Sequence, residues 1–353
     1  MKNWEENVRR VVPYVPGEQP KRERMIKLNT NENPYPPAPG VAEVLKDFDA
    51  GRLRLYPDPT IDKLVSAIAD EYQVKPSQVF VGVGSDDVLA MIFMTFFNSK
   101  KPILFPDVTY SFYEVWADML RVPYEKIALD EKLCIRPGDY NKENGGVIFP
   151  NPNAPTGELL SLKQVEEIIS ANQDVIVVVD EAYIDFGGVS ALSLIDKYDN
   201  LLVVQTFSKS RSMAGARIGF AISNEQVIRY LNDVKYSFNS YTLDAVTIET
   251  GTAAISDTEY FEETKAKIIR TREWTKTKLH ELGFVFGDSQ SNFIFATHPN
   301  VEAKKLFEAL KEAGIFVRYF SKPERISNYL RITIGTDEEM KEFVAFVEKY
   351  LKV

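Results

Sequence analysis

Five consecutive apolar, mostly β-branched residues, Val175-Ile-Val-Val-Val179, run directly into Asp180-Glu-Ala-Tyr183. A strand that is apolar at every position has no face to give to water. It predicts a central strand of a parallel sheet, covered on both sides. A carboxylate placed just after such a strand stands at its carboxyl end, where open α/β sheets receive ligands. Asp180 is therefore a candidate functional residue, with a helix N-cap or a buried ion-pair partner as the plainer alternatives.

The surrounding chain repeats the pattern of strand then helix. Val79-Phe-Val-Gly-Val83 reads as a short strand, and Gly84-Ser-Asp-Asp opens an apolar helix through Phe97. Small residues at a helix start leave backbone N–H groups free for an anion. Pro102-Ile-Leu-Phe begins a strand expected to end at Thr109-Tyr-Ser-Phe-Tyr113. Gly146-Val-Ile-Phe-Pro150 leads into the fixed loop Asn151-Pro-Asn-Ala-Pro-Thr-Gly157, and Ser161 caps the next helix. Thr60 is expected to cap a helix through Tyr72. This alternation predicts an α/β fold, a large domain with a mostly parallel sheet flanked by helices. After about residue 255 come a long charged helix (Glu259 to Leu282), three short strands, a helix from Val301 to Ala313 and a terminal helix from Asp337 to Leu351. They predict a smaller α+β domain. Residues 1–40, with Val12-Pro-Tyr-Val-Pro-Gly17 and Lys27-Leu-Asn-Thr-Asn-Glu-Asn-Pro-Tyr-Pro-Pro37, read as an extended arm that begins the smaller domain. The expected boundaries are 1–40 for the arm, 41–250 for the large domain and 251–353 for the small one.

Charge and rare residues narrow the function. The 353 residues carry a formal net charge of −9, which argues against nucleic acid or an anionic membrane surface as the main partner. No apolar run approaches the roughly 18 residues of a membrane span. The N-terminus lacks the apolar core of a signal peptide. One cysteine, Cys134, suits a reducing, cytoplasmic setting. With only His280 and His298 present, a histidine metal site or catalytic triad is not expected.

The stretch Val203-Val-Gln-Thr-Phe-Ser-Lys-Ser-Arg-Ser-Met-Ala-Gly-Ala-Arg217 delivers a lysine, Lys209, from a buried strand into small hydroxyl residues. A lysine in such a place is costly unless it is paired, neutral or used chemically. A Schiff base is the use that fits. Thr206, Ser208 and Arg217 make an anion site beside it, so lysine and phosphate site together suggest pyridoxal 5'-phosphate (PLP). A solvated surface loop is the alternative. PLP also needs a carboxylate at its ring nitrogen, a donor at its ring oxygen and an aromatic against its face. The strand ends at Asp180, Tyr183 and Tyr110 offer these residue types.

With those pieces the sequence resembles the fold-type I PLP-dependent aminotransferases, and within them the histidinol-phosphate aminotransferases. The resemblance spans nearly the whole chain. It rests on Leu28-Asn-Thr-Asn-Glu-Asn-Pro-Tyr, Tyr56-Pro-Asp-Pro, Gly82-Val-Gly-Ser-Asp-Asp, Thr109-Tyr-Ser-Phe-Tyr, the Asn151–Gly157 loop, Asp180-Glu-Ala-Tyr, Ser208-Lys209 with Arg217, and Leu330-Arg-Ile-Thr-Ile-Gly-Thr. It implies transamination of L-histidinol phosphate with 2-oxoglutarate, giving imidazole acetol phosphate and glutamate. The alternatives are an aromatic amino-acid aminotransferase and a phospho-amino-acid decarboxylase of the same fold. It further implies that Lys209 is the catalytic Schiff-base lysine, that Asp180 pairs with the ring nitrogen, that Tyr183 donates to the ring oxygen and that Tyr110 stacks. Ser85 and Asp86 would hold the cofactor phosphate with backbone N–H groups, joined by Thr206, Ser208 and Arg217. Tyr56 would reach the phosphate in a neighbouring subunit, which makes the protein a homodimer with shared sites. Tyr14, Asn33, Arg318 and Arg331 are the implied substrate-binding residues, Arg331 clamping the carboxylate of glutamate. The family usually has Asn where this chain has Ala154, and Asn153 (or Asn151) is the expected substitute at the ring oxygen. A second departure, Val108 where many relatives carry Pro, implies nothing for function.

Overall fold

The computed structural model describes residues 3–15, 17–21 and 24–352; Pro16 of the expected arm and the first two residues lie outside them. The strands are β1 (Ile26–Leu28), β2 (Val79–Val83), β3 (Ile103–Pro106), β4 (Tyr124–Ile127), β5 (Val147–Pro150), β6 (Val177–Asp180), β7 (Leu201–Thr206), β8 (Ile218–Ile222), β9 (Val285–Phe286), β10 (Phe293–Thr297), β11 (Ile315–Tyr319) and β12 (Tyr329–Thr333). The helices are α1 (Pro39–Asp47), α2 (Asp62–Tyr72), α3 (Gly84–Phe96), α4 (Phe112–Leu120), α5 (Leu162–Ala171), α6 (Glu225–Phe238), α7 (Ala245–Ser256), α8 (Thr258–Glu281), α9 (Ala303–Glu312) and α10 (Asp337–Leu351).

Seven strands form one sheet in the order β2-β8-β7-β6-β5-β3-β4. All pairings among β3 to β7 are parallel, and β8 runs antiparallel to both β2 and β7. The mostly parallel sheet expected from the apolar strands is present. Its central strand β6 shows why the pattern is apolar throughout: Val178 packs into one core and Val177 and Val179 into another, on opposite faces. The register sets Pro150 beside Asp180 and Asp180 beside Val204. The ends of β5, β6 and β7 therefore open on one crevice, which the start of α3 and the start of β8 also reach.

A second sheet has the order β1-β11-β12-β10-β9. Its first strand comes from the N-terminal arm, paired in parallel with β11 from Ile26–Ile315 to Leu28–Val317. That pairing stitches the polar run Asn29–Asn33 across the crevice.

Two local expectations are corrected. α2 is capped by Asp58, not Thr60: the Asp58 carboxylate accepts from the Thr60 and Asp62 backbone N–H groups at 3.0 and 2.9 Å. A carboxylate beside Pro59 is a stronger, better-placed acceptor than a hydroxyl. The strand from Pro102 ends at Pro106 and not at Tyr113; Phe112 and Tyr113 already belong to α4. Asp107 makes the break by accepting from the Leu129 N–H at 3.0 Å.

Candidate active site

The crevice between the two sheets holds a cavity of about 520 Å³. Asp180 stands at the end of β6, 5% exposed. It accepts from the Tyr113 hydroxyl at 2.7 Å and from the Ala182 N–H at 3.2 Å. Burial pushes its pKa up to about 6, against the pull of those donors. A carboxylate held this way favours a cationic partner. A protonated pyridine nitrogen is such a partner.

Lys209 follows the end of β7 and reaches into the same cavity. Its Nζ donates to the Thr30 carbonyl at 3.2 Å and lies 5.7 Å from the Tyr183 ring centroid. Among the described residues no carboxylate forms an ion pair with it. The amine is thus held only by one neutral acceptor, which leaves it free to attack a carbonyl.

The anion cradle is built by close backbone approach. Gly84, with φ +80°, begins α3, and a Cβ there would fall 2.6 Å from Arg217 Nη2. At Gly219 a Cβ would fall 2.2 Å from the Ser85 backbone nitrogen. Glycine at both positions lets the guanidinium and the helix start share one small space, as a phosphate requires. Ser85, Thr206 and Ser208 line it, and the Thr206 hydroxyl donates to Ser208 Oγ at 3.0 Å. Asp86 does more than its backbone predicts. Its carboxylate accepts from Arg217 Nη2 at 2.9 Å and from the Tyr110 hydroxyl at 2.6 Å. The Tyr110 ring lines the cavity, braced edge-on by Tyr113 at 5.7 Å. Cradle, lysine, carboxylate and aromatic face fit a phosphorylated pyridine aldehyde such as PLP.

The opposite end of the cavity carries a second cationic group. Arg318 and Arg331 are cross-strand register partners, and both line the cavity. Like charges opposite one another are unfavourable unless an anion joins them. Arg331 donates Nη2 to the Asn29 carbonyl at 3.1 Å, while its buried Nε has no partner. Burial lowers its pKa from the ordinary value. Tyr14 stacks on Phe112 at 4.3 Å and lines the same end.

Two expected residues are placed elsewhere. Asn153 does not face the cavity: its amide donates to the Val108 carbonyl and to Thr156 Oγ1, and its oxygen accepts from Thr109 Oγ1. Asn151 is equally occupied, exchanging two hydrogen bonds with the Leu160 backbone. Both amides are staples of their own proline-rich loop. Ala154 lines the cavity in their place. The amide that does face inward is Asn31, a residue absent from the sequence expectations. Its Nδ2 donates to the Tyr183 hydroxyl at 2.9 Å, and its oxygen accepts from Thr333 Oγ1 at 3.1 Å. The signals in the sequence were its place in the run Leu28–Tyr35 that carries the resemblance and an asparagine's ability to adopt its φ of +56°. Asn33 is also corrected: it donates to the Ser210 carbonyl at 3.0 Å and accepts from the Tyr35 N–H, away from the cavity. Tyr56 is 82% exposed and stacked on Tyr241 at 4.7 Å, outside this chain's own cavity. Among the described residues no cluster of His, Cys, Asp or Glu could hold a metal ion.

The family described as aminotransferase class I and II matches residues 23–347. The chain belongs to that family. A histidinol-phosphate aminotransferase of Lactococcus lactis subsp. cremoris (strain MG1363) is 50% identical over 350 residues, 99% of this chain and 98% of that protein. One from Pseudomonas putida (strain ATCC 47054) is 54% identical over 335 residues, 95% of this chain and 96% of that protein. Among solved structures, the histidinol-phosphate aminotransferase of Sinorhizobium meliloti in complex with pyridoxal-5'-phosphate matches with a TM-score of 0.84 at 23% identity, covering 93% of this chain and 91% of that one. The L-threonine-O-3-phosphate decarboxylase of Porphyromonas gingivalis matches at 0.81 and 20% identity, covering 93% of this chain and 100% of that one, a likeness of fold alone. The aminotransferase fold thus accounts for the two sheets and for the crevice between them.

Proposed function

We infer that this aminotransferase uses pyridoxal 5'-phosphate to move the amino group of L-histidinol phosphate to 2-oxoglutarate, yielding imidazole acetol phosphate and glutamate in histidine biosynthesis. The observation that carries the reading is one cavity with an anion site at each end, Arg217 with the start of α3 at one and the Arg318–Arg331 pair at the other. One end suits the cofactor phosphate, and the other suits a substrate that is itself a phosphate or a carboxylate. The 50% and 54% identities to proteins named for this substrate support the same choice.

Pyridoxal phosphate supplies a carbonyl that captures amines and a protonated ring that accepts the electron pair left when a proton departs. Asp180 keeps the ring nitrogen protonated, and Tyr113 keeps Asp180 in place. Tyr183 donates to the ring oxygen, with Asn31 orienting its hydroxyl. Tyr110 covers one ring face. Lys209 Nζ removes the proton from the substrate carbon and redelivers it. Arg331 offers its unpartnered Nε to the anionic end of each substrate in turn, with Arg318 and Tyr14 beside it. An arginine pair that grips either a phosphate or a carboxylate suits an enzyme whose two substrates differ there.

The same proposal includes a homodimer, because exposed Tyr56 is free to complete a neighbour's cradle. It places the enzyme in the cytoplasm, where its free Cys134 thiol suits the redox conditions. It also divides the chain into an arm to residue 40, a cofactor-binding unit over 41–250 and a smaller unit over 251–353; the two separate sheets support two such units, while α7 runs across the 250/251 boundary.

The test is a substrate panel with purified protein. Glutamate from L-histidinol phosphate and 2-oxoglutarate, at a kcat/KM well above that for phenylalanine, is the expected result. Faster turnover of phenylalanine, or release of CO2 from threonine phosphate, would overturn the reading.

A further inference from the structure

The turn that presents Lys209 is gripped from two sides through the next residue. Ser210 is buried, 2% exposed. Its hydroxyl donates to Asp185 Oδ2 at 2.5 Å, and its carbonyl accepts from Asn33 Nδ2 at 3.0 Å. Asp185 lies on the short 3-10 helix Ile184–Phe186, directly after Asp180-Glu-Ala-Tyr183. That helix is itself pinned, because the Phe186 carbonyl accepts from Arg272 Nη1 at 2.8 Å. Asn33 belongs to the arm run whose Thr30 carbonyl accepts from Lys209 Nζ. One segment therefore carries Asp180, Tyr183 and Asp185, and another carries Thr30, Asn31 and Asn33. Each touches both a cavity residue and the lysine turn.

We propose that Asp185 and Asn33 are positioning residues for the transamination, clamping the hydroxyl and carbonyl of Ser210 so that Lys209 Nζ is aimed at the carbon between ring and substrate. The proposal rests on the reading of Lys209 as the cofactor-binding lysine. Neither Asp185 nor Asn33 lines the cavity, so neither has a part in holding substrate. The turn is otherwise anchored at Arg211, whose buried guanidinium pairs with Glu71 at 2.9 Å, two residues beyond Lys209. Its main-chain bonds are Ser212 N–H to the Lys209 carbonyl at 3.4 Å and Met213 N–H to the Phe207 carbonyl at 3.0 Å, and Ser212 has φ +59°. Without the clamp the backbone before this strained residue would relax, and a lysine terminus some five bonds out amplifies a small rotation. Asp185 also faces Arg211, Lys265 and Glu262. A charge effect and a hydrogen-bond effect can therefore be separated by an amide.

The experiment compares wild-type holoenzyme with Asp185→Ala, Asp185→Asn, Ser210→Ala and Asn33→Ala. The readouts are the pH midpoint of the visible absorbance of the lysine–PLP adduct, kcat and KM for 2-oxoglutarate, and thermal unfolding to check folding. The alanine variants are expected to shift the midpoint by at least half a pH unit and to lower kcat about tenfold, the order of loss that a misaimed reacting group brings. KM should stay within about twofold, as befits groups outside the substrate lining. Asp185→Asn keeps an acceptor for Ser210 and should retain the wild-type midpoint. Asp185→Ala with Ser210→Ala should cost no more than either alone. Folded variants with an unchanged midpoint and kcat would overturn the clamp while leaving the function intact. A wild-type protein that forms no adduct on Lys209 would overturn both.

Discussion

In the cofactor-free protein, Asp180→Asn should stabilise the fold while it removes the function. Asp180 is buried at the end of β6, and burial lifts its pKa from an ordinary 3.8 to about 6. A carboxyl whose folded pKa is raised favours folding while it is neutral. That contribution is complete at pH below the unfolded value and is lost as pH rises towards the folded one. At about 1.4 kcal/mol per tenfold in proton affinity, the penalty at neutral pH comes to about 3 kcal/mol. It shrinks to roughly half of that at pH 5, where folded Asp180 is mostly protonated already. Asparagine is neutral at both values. Its oxygen can accept from the Ala182 N–H, and its NH2 can donate to the Tyr113 oxygen, so neither present partner is abandoned. Some of the gain is lost because the Tyr113 proton then has no acceptor, a cost of about 1 kcal/mol or more, leaving at most about 2 kcal/mol at neutral pH. Urea unfolding of the cofactor-free protein at pH 7.5 and pH 5 measures this. The variant should be more stable at pH 7.5, by a margin that shrinks towards zero at pH 5, yet retain PLP poorly and lose about a hundredfold or more in kcat. A variant less stable than wild type at pH 7.5, or a margin that widens on acidification, would refute the argument that the hydrogen bonds to Asp180 do not offset its burial.

Gly84→Ala puts a Cβ 2.6 Å from Arg217 Nη2 at φ +80°, so PLP retention after dialysis should fall while the fold survives. Arg331→Lys replaces a fork by a point charge, and KM for 2-oxoglutarate should rise about tenfold or more with kcat less affected. Asn31→Ala frees the Tyr183 hydroxyl from its 2.9 Å donor and should shift the pH midpoint of the bound cofactor's absorbance. If the proposed homodimer shares its sites through Tyr56, co-expressed Tyr56→Ala and Lys209→Ala chains should recover up to about a quarter of wild-type activity, since half of the random dimers would hold one complete site. Recovery of none would show that Tyr56 serves no partner.

What the sequence made legible was one-dimensional. Of Val175–Val179, the last three belong to the strand covered on both faces, with Val175 and Ile176 half-buried just before it, and residues that follow the parallel strands share the carboxyl edge. Asp180, Tyr183 and Lys209 follow from that rule, Arg217 precedes the antiparallel β8, and all four line one cavity. Side-chain aim is a tertiary property and was not legible. Asn153 turns away because its acceptor and donor come from Val108 and Thr109, more than forty residues back. Asn31 turns inward because Thr333, from the other end of the chain, holds its oxygen. Asn33 is drawn to Ser210 for the same reason. The use of the Asp86 carboxylate was hidden too, since a helix start predicts backbone donors without saying what the side chain meets. At Thr60 the error was local: two capping groups competed, and the carboxylate at Asp58 won.

Lys235 makes the central claim sharply testable, because it is a competing lysine more buried than Lys209, 2% exposed, with its pKa lowered by burial. It donates only to the Pro59 carbonyl, at 3.3 Å, in a groove between α2 and α6. Borohydride reduction of the PLP-loaded enzyme, followed by peptide mass spectrometry, reports which lysine holds the cofactor. The pyridoxyl mass should be found on the peptide containing Lys209. Prior incubation with excess L-histidinol phosphate should abolish that label, because the cofactor then leaves the lysine for the substrate amine. Label on Lys235, or label on Lys209 that histidinol phosphate leaves untouched, would contradict the account.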